Sequence, residues 1–139
     1  MKGKVFFDTT ILVYALSEGD ERTATAERLL AAGGNLSVQV LNEFAAVARK
    51  KLKMSWPEIA EALDAVRVLC EPPMPLTIEI HDAALRIAER YGYHIYDALI
   101  LAAALDAECD VLYSEDMQDG QKVDSLTIRN PFIADEDSI

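Results

Sequence analysis

The run Ala98-Leu99-Ile100-Leu101-Ala102-Ala103-Ala104-Leu105 carries no polar side chain. A helix that is apolar on every side has to be buried on every side, so this segment demands a core built around it. Directly before it, in what would be its first turn, stands Asp97. An ionised carboxylate entering a core is costly unless it is paired, hydrogen-bonded or bound to a cation. One reading is local: an acid at a helix N-terminus caps it or sits favourably on its dipole. The other is that Asp97 faces a site, since acids in perturbed surroundings are candidates for function.

The rest of the chain alternates strand and helix signals around that helix. Val5-Phe6-Phe7 reads as a buried strand ended by Asp8. Thr9 and Thr10 then open a short helix through Ile11 to Leu16. Asp20 to Ala32 has Ala26, Leu29 and Leu30 at helical spacing and stops at Gly33-Gly34. Leu36-Ser37-Val38 is a candidate second strand, running into a helix of about Gln39 to Lys53. Ser55 and Glu58 form a capping box, and Pro57 suits a first turn. That helix ends at Pro72-Pro73-Met74-Pro75, and another opens near Thr77 and closes near Gly92. Asp110 to Ser114 reads as a strand, Val123 to Arg129 as a last short one, and the acidic tail from about residue 133 as frayed. Strands separated by helices predict an α/β fold with a mainly parallel sheet. At 139 residues, without an internal repeat or a long linker, one domain spanning residues 1–139 is expected.

About half the residues are apolar, which excludes disorder as the main reading. Cys70 and Cys109 belong to no CxxC or Cys/His cluster, so neither a disulfide framework nor a zinc site is indicated. Lys2 and Lys4 before an apolar run imitate a signal peptide, but Asp8 interrupts the run. No stretch approaches the length of a membrane span, and a soluble, cytoplasmic protein is expected. The net charge of −11 runs against nucleic-acid binding, because phosphate contacts dominate such affinity. Ten acidic residues against two basic ones lie between Asp106 and Asp137, which leaves room for a basic surface elsewhere. Arg49-Lys50-Lys51 with Lys53 is the only basic run; it suits either RNA phosphates or the C-terminus of its own helix.

Three more acids are out of place. Glu43 shares a helical face with Val40, Phe44 and Val47, so it either snorkels out at the edge or faces something cationic. Asp8 and Asp116 fall at or just beyond the C-terminal ends of predicted strands, the edge where open α/β sheets build their sites. Each has an ordinary explanation, Asp8 as an N-cap and Asp116 as a turn residue. If all four acids converge, repulsion forces protons onto some of them unless a cation is present. Oxygen ligands without a Cys or His partner favour Mg²⁺ or Mn²⁺. Carboxylates holding such ions can promote phosphodiester cleavage.

These residues also carry a resemblance. Val5-Phe6-Phe7-Asp8-Thr9-Thr10-Ile11-Leu12, Asn42-Glu43-Phe44, Tyr96-Asp97 through Ala104, and Leu112-Tyr113-Ser114-Glu115-Asp116 resemble the ordered motifs of the PIN-domain family. The chain is more narrowly similar to VapC-type toxins of toxin–antitoxin pairs. The likeness spans nearly the whole chain, and its most specific part is the third motif with Ser114-Glu115-Asp116-Met117-Gln118-Asp119-Gly120. It implies a three-layer α/β/α domain and a Mg²⁺- or Mn²⁺-dependent endoribonuclease, often a homodimer and blocked by a cognate antitoxin protein. It implies that Asp8, Glu43, Asp97 and Asp116 are the catalytic, metal-holding acids. Asp119 resembles an auxiliary acid, and Ser114 a residue that positions the site. The family usually has Asn where Thr10 stands; a hydroxyl is a weaker ligand, so Thr10 is expected beside the ligands rather than among them.

Two other functions compete. A phosphoryl-transfer domain would use Asp8 as nucleophile, but a phosphatase-type Asp-x-Asp-x-Thr wants an acid at Thr10. A degenerate PIN module would only bind a protein partner, against which all four acids are present. His81 and His94 have no Ser or Cys arranged for a triad and are read as structural or surface groups. Trp56 is read as packing, and Tyr96 as facing either core or site.

Overall fold

The structure, a computed structural model, describes residues 3–133, so a tail fraying beyond that point lies outside the described residues. In chain order the elements are β1 (Val5–Phe7), α1 (Thr9–Ala15), α2 (Thr23–Ala31), α3 (Val38–Lys50) and α4 (Trp56–Leu69). Then follow α5 (Ile78–Tyr91), α6 (Ile95–Asp106), β2 (Val111–Tyr113), β3 (Lys122–Val123) and β4 (Leu126–Arg129). The architecture is α/β, with helices flanking a short, mainly parallel sheet, as expected.

The all-apolar run becomes α6, which packs chiefly against α5 and also meets α3. Ala98 and the five residues Ile100 to Ala104 are buried, and with Phe6, Phe44, Leu112 and Ile128 they form one contiguous core. Sheet order is β1-β2-β4-β3, parallel except for the β3–β4 hairpin. Phe6, Leu112 and Ile128 lie in register across three strands, and all three are fully buried. Each such side chain contributes about 1.5–3 kcal/mol. Strands this short are therefore held by what they bury as much as by their ladders.

The edge that matters is the one where β1 and β2 end. Because they run parallel in register, Phe7 beside Tyr113, both release their chains at the same end. The Asp8 amide continues the ladder to the Tyr113 carbonyl at 3.0 Å, and the Ser114 amide bonds the Arg129 carbonyl at 2.9 Å. Asp8 and Ser114 are thus neighbours although 106 residues apart.

Several expected boundaries are corrected. Leu36-Ser37-Val38 is not a strand: Asn35 and Ser37 form isolated parallel bridges to Phe6 and Met74. The extended segment is cut off because Ser37 caps α3, its Oγ accepting from the Val40 amide at 3.3 Å, so the helix takes over at Val38. The same helix ends at Lys50, not Lys53, and Lys53 adopts a left-handed φ of 59°. The first helix does open at Thr9, with Asp8 as its cap, and ends at Ala15, one residue before the expected Leu16. The last strand is instead a hairpin turning at Asp124, where φ is 52°. The capping box is present, with Ser55 and Glu58 bonded at 2.8 and 3.2 Å, and Gly92 closes α5 with a φ of 81°.

Candidate functional site

Asp8 is only 4% exposed, and both of its carboxylate oxygens are engaged. Oδ1 accepts from the Thr9 amide at 2.7 Å, and Oδ2 from the Ser114 hydroxyl at 2.6 Å. Those bonds favour the ionised form, yet its pKa is raised from 3.8 to about 6. Burial is the largest cause, and the negative charges of Asp97 and Glu43 add to it. Asp8 therefore does serve as an N-cap, but a cap alone feels no repulsion from two other acids.

Glu43 projects from α3 and is half-buried. Its Oε1 accepts from the Thr9 hydroxyl at 3.0 Å and its Oε2 from the Gln39 amide at 2.9 Å. Of the two sequence readings, edge or interior, the position combines both: on the stripe, beside a polar groove. Asp97 sits in the first turn of α6, three residues after the cap residue His94. No side chain caps that helix; the Asp97 carboxylate instead meets His94 Nε2 at 3.0 Å. Its pKa is raised by partial burial first, with Glu43 and Asp116 adding to the rise and His94 opposing it.

Glu43, Asp97 and Asp116 line one groove of about 610 Å³ together with Gln39, Asn42, Ala46, His94 and Tyr96. Asp8 lies behind it, within electrostatic reach of Glu43 and Asp97. Acids from the ends of two strands, the middle of α3 and the start of α6 are thus brought into one neighbourhood. Of the four only Asp8 is buried; Glu43 and Asp97 are half-buried and Asp116 is exposed. Among the described residues no three Asp, Glu, His or Cys side chains are drawn together tightly enough to enclose an ion on their own. The donor set still fits a hard divalent cation. Mg²⁺ demands oxygen ligands, usually takes one or two carboxylates, and keeps several waters.

The supporting residues divide in the same way. Ser114, fully buried, holds Asp8 and accepts from the Met117 amide at 3.3 Å. Thr10 is no lining residue of the groove; its hydroxyl accepts from the Glu115 amide at 3.2 Å, fastening the 114–116 loop. Asp119 is exposed and accepts from the Asn130 amide at 2.8 Å, away from the groove lining. Arg49, Lys50, Lys51 and Lys53 are all exposed at the far end of α3. Arg49 donates to the Met54 carbonyl and lies 5.3 Å from the Trp56 ring centre. Trp56, read as packing, is exposed at the first position of α4, and its packing is against the Arg49 guanidinium. His94 is at the surface, as read, and Tyr96 faces the groove rather than the core.

The sequence model for the PIN domain matches residues 5–122. The chain belongs to the PIN domain family. Three solved structures are similar to this PIN domain. VapC20 of Mycobacterium tuberculosis, described as a toxin that cleaves the sarcin–ricin loop, is 23% identical with a TM-score of 0.63, over 81% of this chain and 90% of its own. A toxin–antitoxin complex from Klebsiella pneumoniae gives 19% and 0.70, over 93% and 98%. VapBC2 of Rickettsia felis, bound to a DNA fragment from its promoter, gives 20% and 0.65, over 91% and 97%. No curated protein matches the sequence.

Sequence reasoning missed two features of this PIN domain. Thr9, read only as a helix opener, joins Asp8 to Glu43: its amide bonds one acid and its hydroxyl the other. The second is a latch on the loop between Ser114 and Asp116. Glu115 accepts from the Tyr14 hydroxyl and, at 2.8 Å, from Arg22, whose guanidinium also grips Asp20 and stacks 4.1 Å from the Tyr14 ring centre. Partial burial, then the Glu115 bond, push the Tyr14 hydroxyl up to about 12, so it stays a donor at neutral pH. The Thr9 link had a visible signal, a hydroxyl beside a candidate acid. The latch had none, since it joins residues 93 and 101 positions apart.

Proposed function

We propose that this PIN domain is a Mg²⁺- or Mn²⁺-dependent endoribonuclease, the toxin of a toxin–antitoxin pair. One observation carries the reading: Glu43, Asp97 and Asp116 line a single groove, with the buried Asp8 within electrostatic reach behind it. Such clustering is unfavourable for a structural purpose and is relieved by a cation. Asp8, Glu43, Asp97 and Asp116 would hold the ion. When bound, it supplies Lewis-acid polarisation of a phosphodiester and neutralises charge on the leaving oxygen.

The chain itself supplies orientation. Ser114 and the Thr9 amide fix the Asp8 carboxylate, Gln39 and the Thr9 hydroxyl fix Glu43, and His94 restrains Asp97. Below about pH 6 Asp8 carries a proton, which weakens it as a ligand. The phosphoryl-transfer alternative is disfavoured by Thr10, which stands where a phosphatase-type Asp-x-Asp-x-Thr wants an acid.

An antitoxin protein is the partner this reading requires, and two of the similar folds come from toxin–antitoxin assemblies. A homodimer is supported by Ile78 and Leu85, exposed apolar residues seven apart on one side of α5. A single domain is supported by the one contiguous core. No helix among the described residues is long and apolar enough to cross a membrane. Both cysteines are free thiols, which with that observation supports a cytoplasmic location.

The test is cleavage of single-stranded RNA by the purified protein with Mg²⁺ or Mn²⁺, with EDTA and Asp97→Asn as controls. Metal-dependent cleavage lost in both controls supports the reading. Activity that survives both refutes it.

A further inference from the structure

A protein of net charge −11 that takes RNA needs some source of affinity other than bulk electrostatics. The groove holds one. On α3 its lining residues are Gln39, Asn42, Glu43 and Ala46, spaced as one helical stripe. The next positions on that stripe are Arg49 and Lys50, both exposed, about 10 Å beyond Glu43. On the other wall, Tyr96 is 58% exposed and the His94 side chain 67%, with ring centres 6.3 Å apart. Tyr96 stands out because half of its helix is buried in the core, yet its ring is exposed and lines the acidic groove.

We propose that Tyr96, with His94 beside it, is a platform on which an unpaired RNA base stacks, and that Arg49 and Lys50 hold the backbone where the strand leaves along α3. This rests on the ribonuclease reading and specifies the substrate as single-stranded at that point. Stacking tolerates any base and requires no compensating positive field, since every base has a π-face. Two cations meeting two phosphates give a shallow salt dependence, a slope of log K against log salt near −1.4.

The experiment is fluorescence anisotropy of a labelled single-stranded oligoribonucleotide on the full chain in EDTA, where metal-dependent cutting is off. Tyr96→Phe should bind as the unmodified protein does, and Tyr96→Ser on the order of tenfold more weakly, at an unchanged melting temperature because the ring is exposed. Replacing Arg49 and Lys50 together by Ala should flatten the salt slope nearly to zero. A blunt duplex of the same sequence should bind poorly. Equal binding by Tyr96→Ser, a slope several times steeper than −1.4, or no binding by the unmodified protein overturns the platform. Cleavage assays separate the two readings. If RNA is cut with Mg²⁺ and Tyr96→Ser leaves KM unchanged, the platform falls and the nuclease stands. If stacking-dependent binding is found without cutting in any metal, the nuclease falls and the platform stands.

Discussion

Replacing Asp8 by Asn should make the metal-free protein more stable at neutral pH. Raising the carboxyl from 3.8 to about 6 means that ionising Asp8 costs the folded state about 3 kcal/mol more than the unfolded one. The sign follows from proton uptake. Between those two values the folded chain binds more protons than the unfolded chain, so the favourable contribution is complete below about pH 4 and is lost as pH rises through about 6. Asn caps a helix about as well as Asp, so the bond from the Thr9 amide survives. The bond from the Ser114 hydroxyl favours the ionised form and is therefore already counted in that cost. The balance is a gain of about 3 kcal/mol at pH 7.5 in EDTA, several degrees in Tm for a chain of this size. At pH 4 the gain should vanish. Thermal unfolding of both proteins by circular dichroism, from pH 4 to 8 in EDTA, measures the difference directly. Adding Mg²⁺ or Mn²⁺ should then raise the Tm of the unmodified protein and reverse the order. If the two proteins differ by the same amount at every pH, or if Asp8→Asn is the less stable at pH 7.5 without metal, Asp8 is merely a cap and the reasoning fails.

Ser114→Ala removes a side-chain donor to Asp8 and should lower stability by about 1–3 kcal/mol in urea unfolding. It should also move the acid limb of RNA cleavage to higher pH, because the bond it deletes is the strongest influence holding the Asp8 pKa down. Arg22→Met unties Glu115 from the connection between α1 and α2. Hydrogen exchange should quicken around residues 14–23 and 114–117 while α5 and α6 stay protected. Gly34→Ala should cost about 1–3 kcal/mol, since an added Cβ would stand 2.6 Å from the buried Phe7 ring; calorimetry checks it.

What the sequence disclosed follows the range of the interactions involved. Helices announced themselves through local chemistry: the Ser55–Glu58 box, the Gly92 stop and the Thr77 cap are complete within a few residues. The strand at 36–38 misled because its apolar–polar–apolar pattern is satisfied by two single bridges to different partners, Phe6 and Met74, a distinction only tertiary structure makes. The acids at 8, 43, 97 and 116 were visible as misfits against hydrophobic patterning. How they are held was not. Ser114 bonding Asp8 and Arg22 bonding Glu115 depend on β1 and β2 ending side by side, and strand adjacency has no local signal.

The groove also has a direction, set by a gradient of exposure. Asp8 is enclosed behind Thr9 and Ser114, Glu43 and Asp97 are half-buried, and Asp116 is open to water. Desolvation penalises ionisation most at the back and least at the front. Protons therefore collect on Asp8. A cation held there would displace that proton, because its field lowers the pKa of a carboxylate beside it. Metal affinity should thus fall in acid earlier than an ordinary carboxylate would dictate, with a midpoint near 6 rather than 4. Isothermal titration with Mn²⁺ at pH 5, 6 and 7.5 reads that midpoint. In Asp8→Asn the remaining dependence should shift to lower pH, and a midpoint left near 6 would show that the proton sits elsewhere.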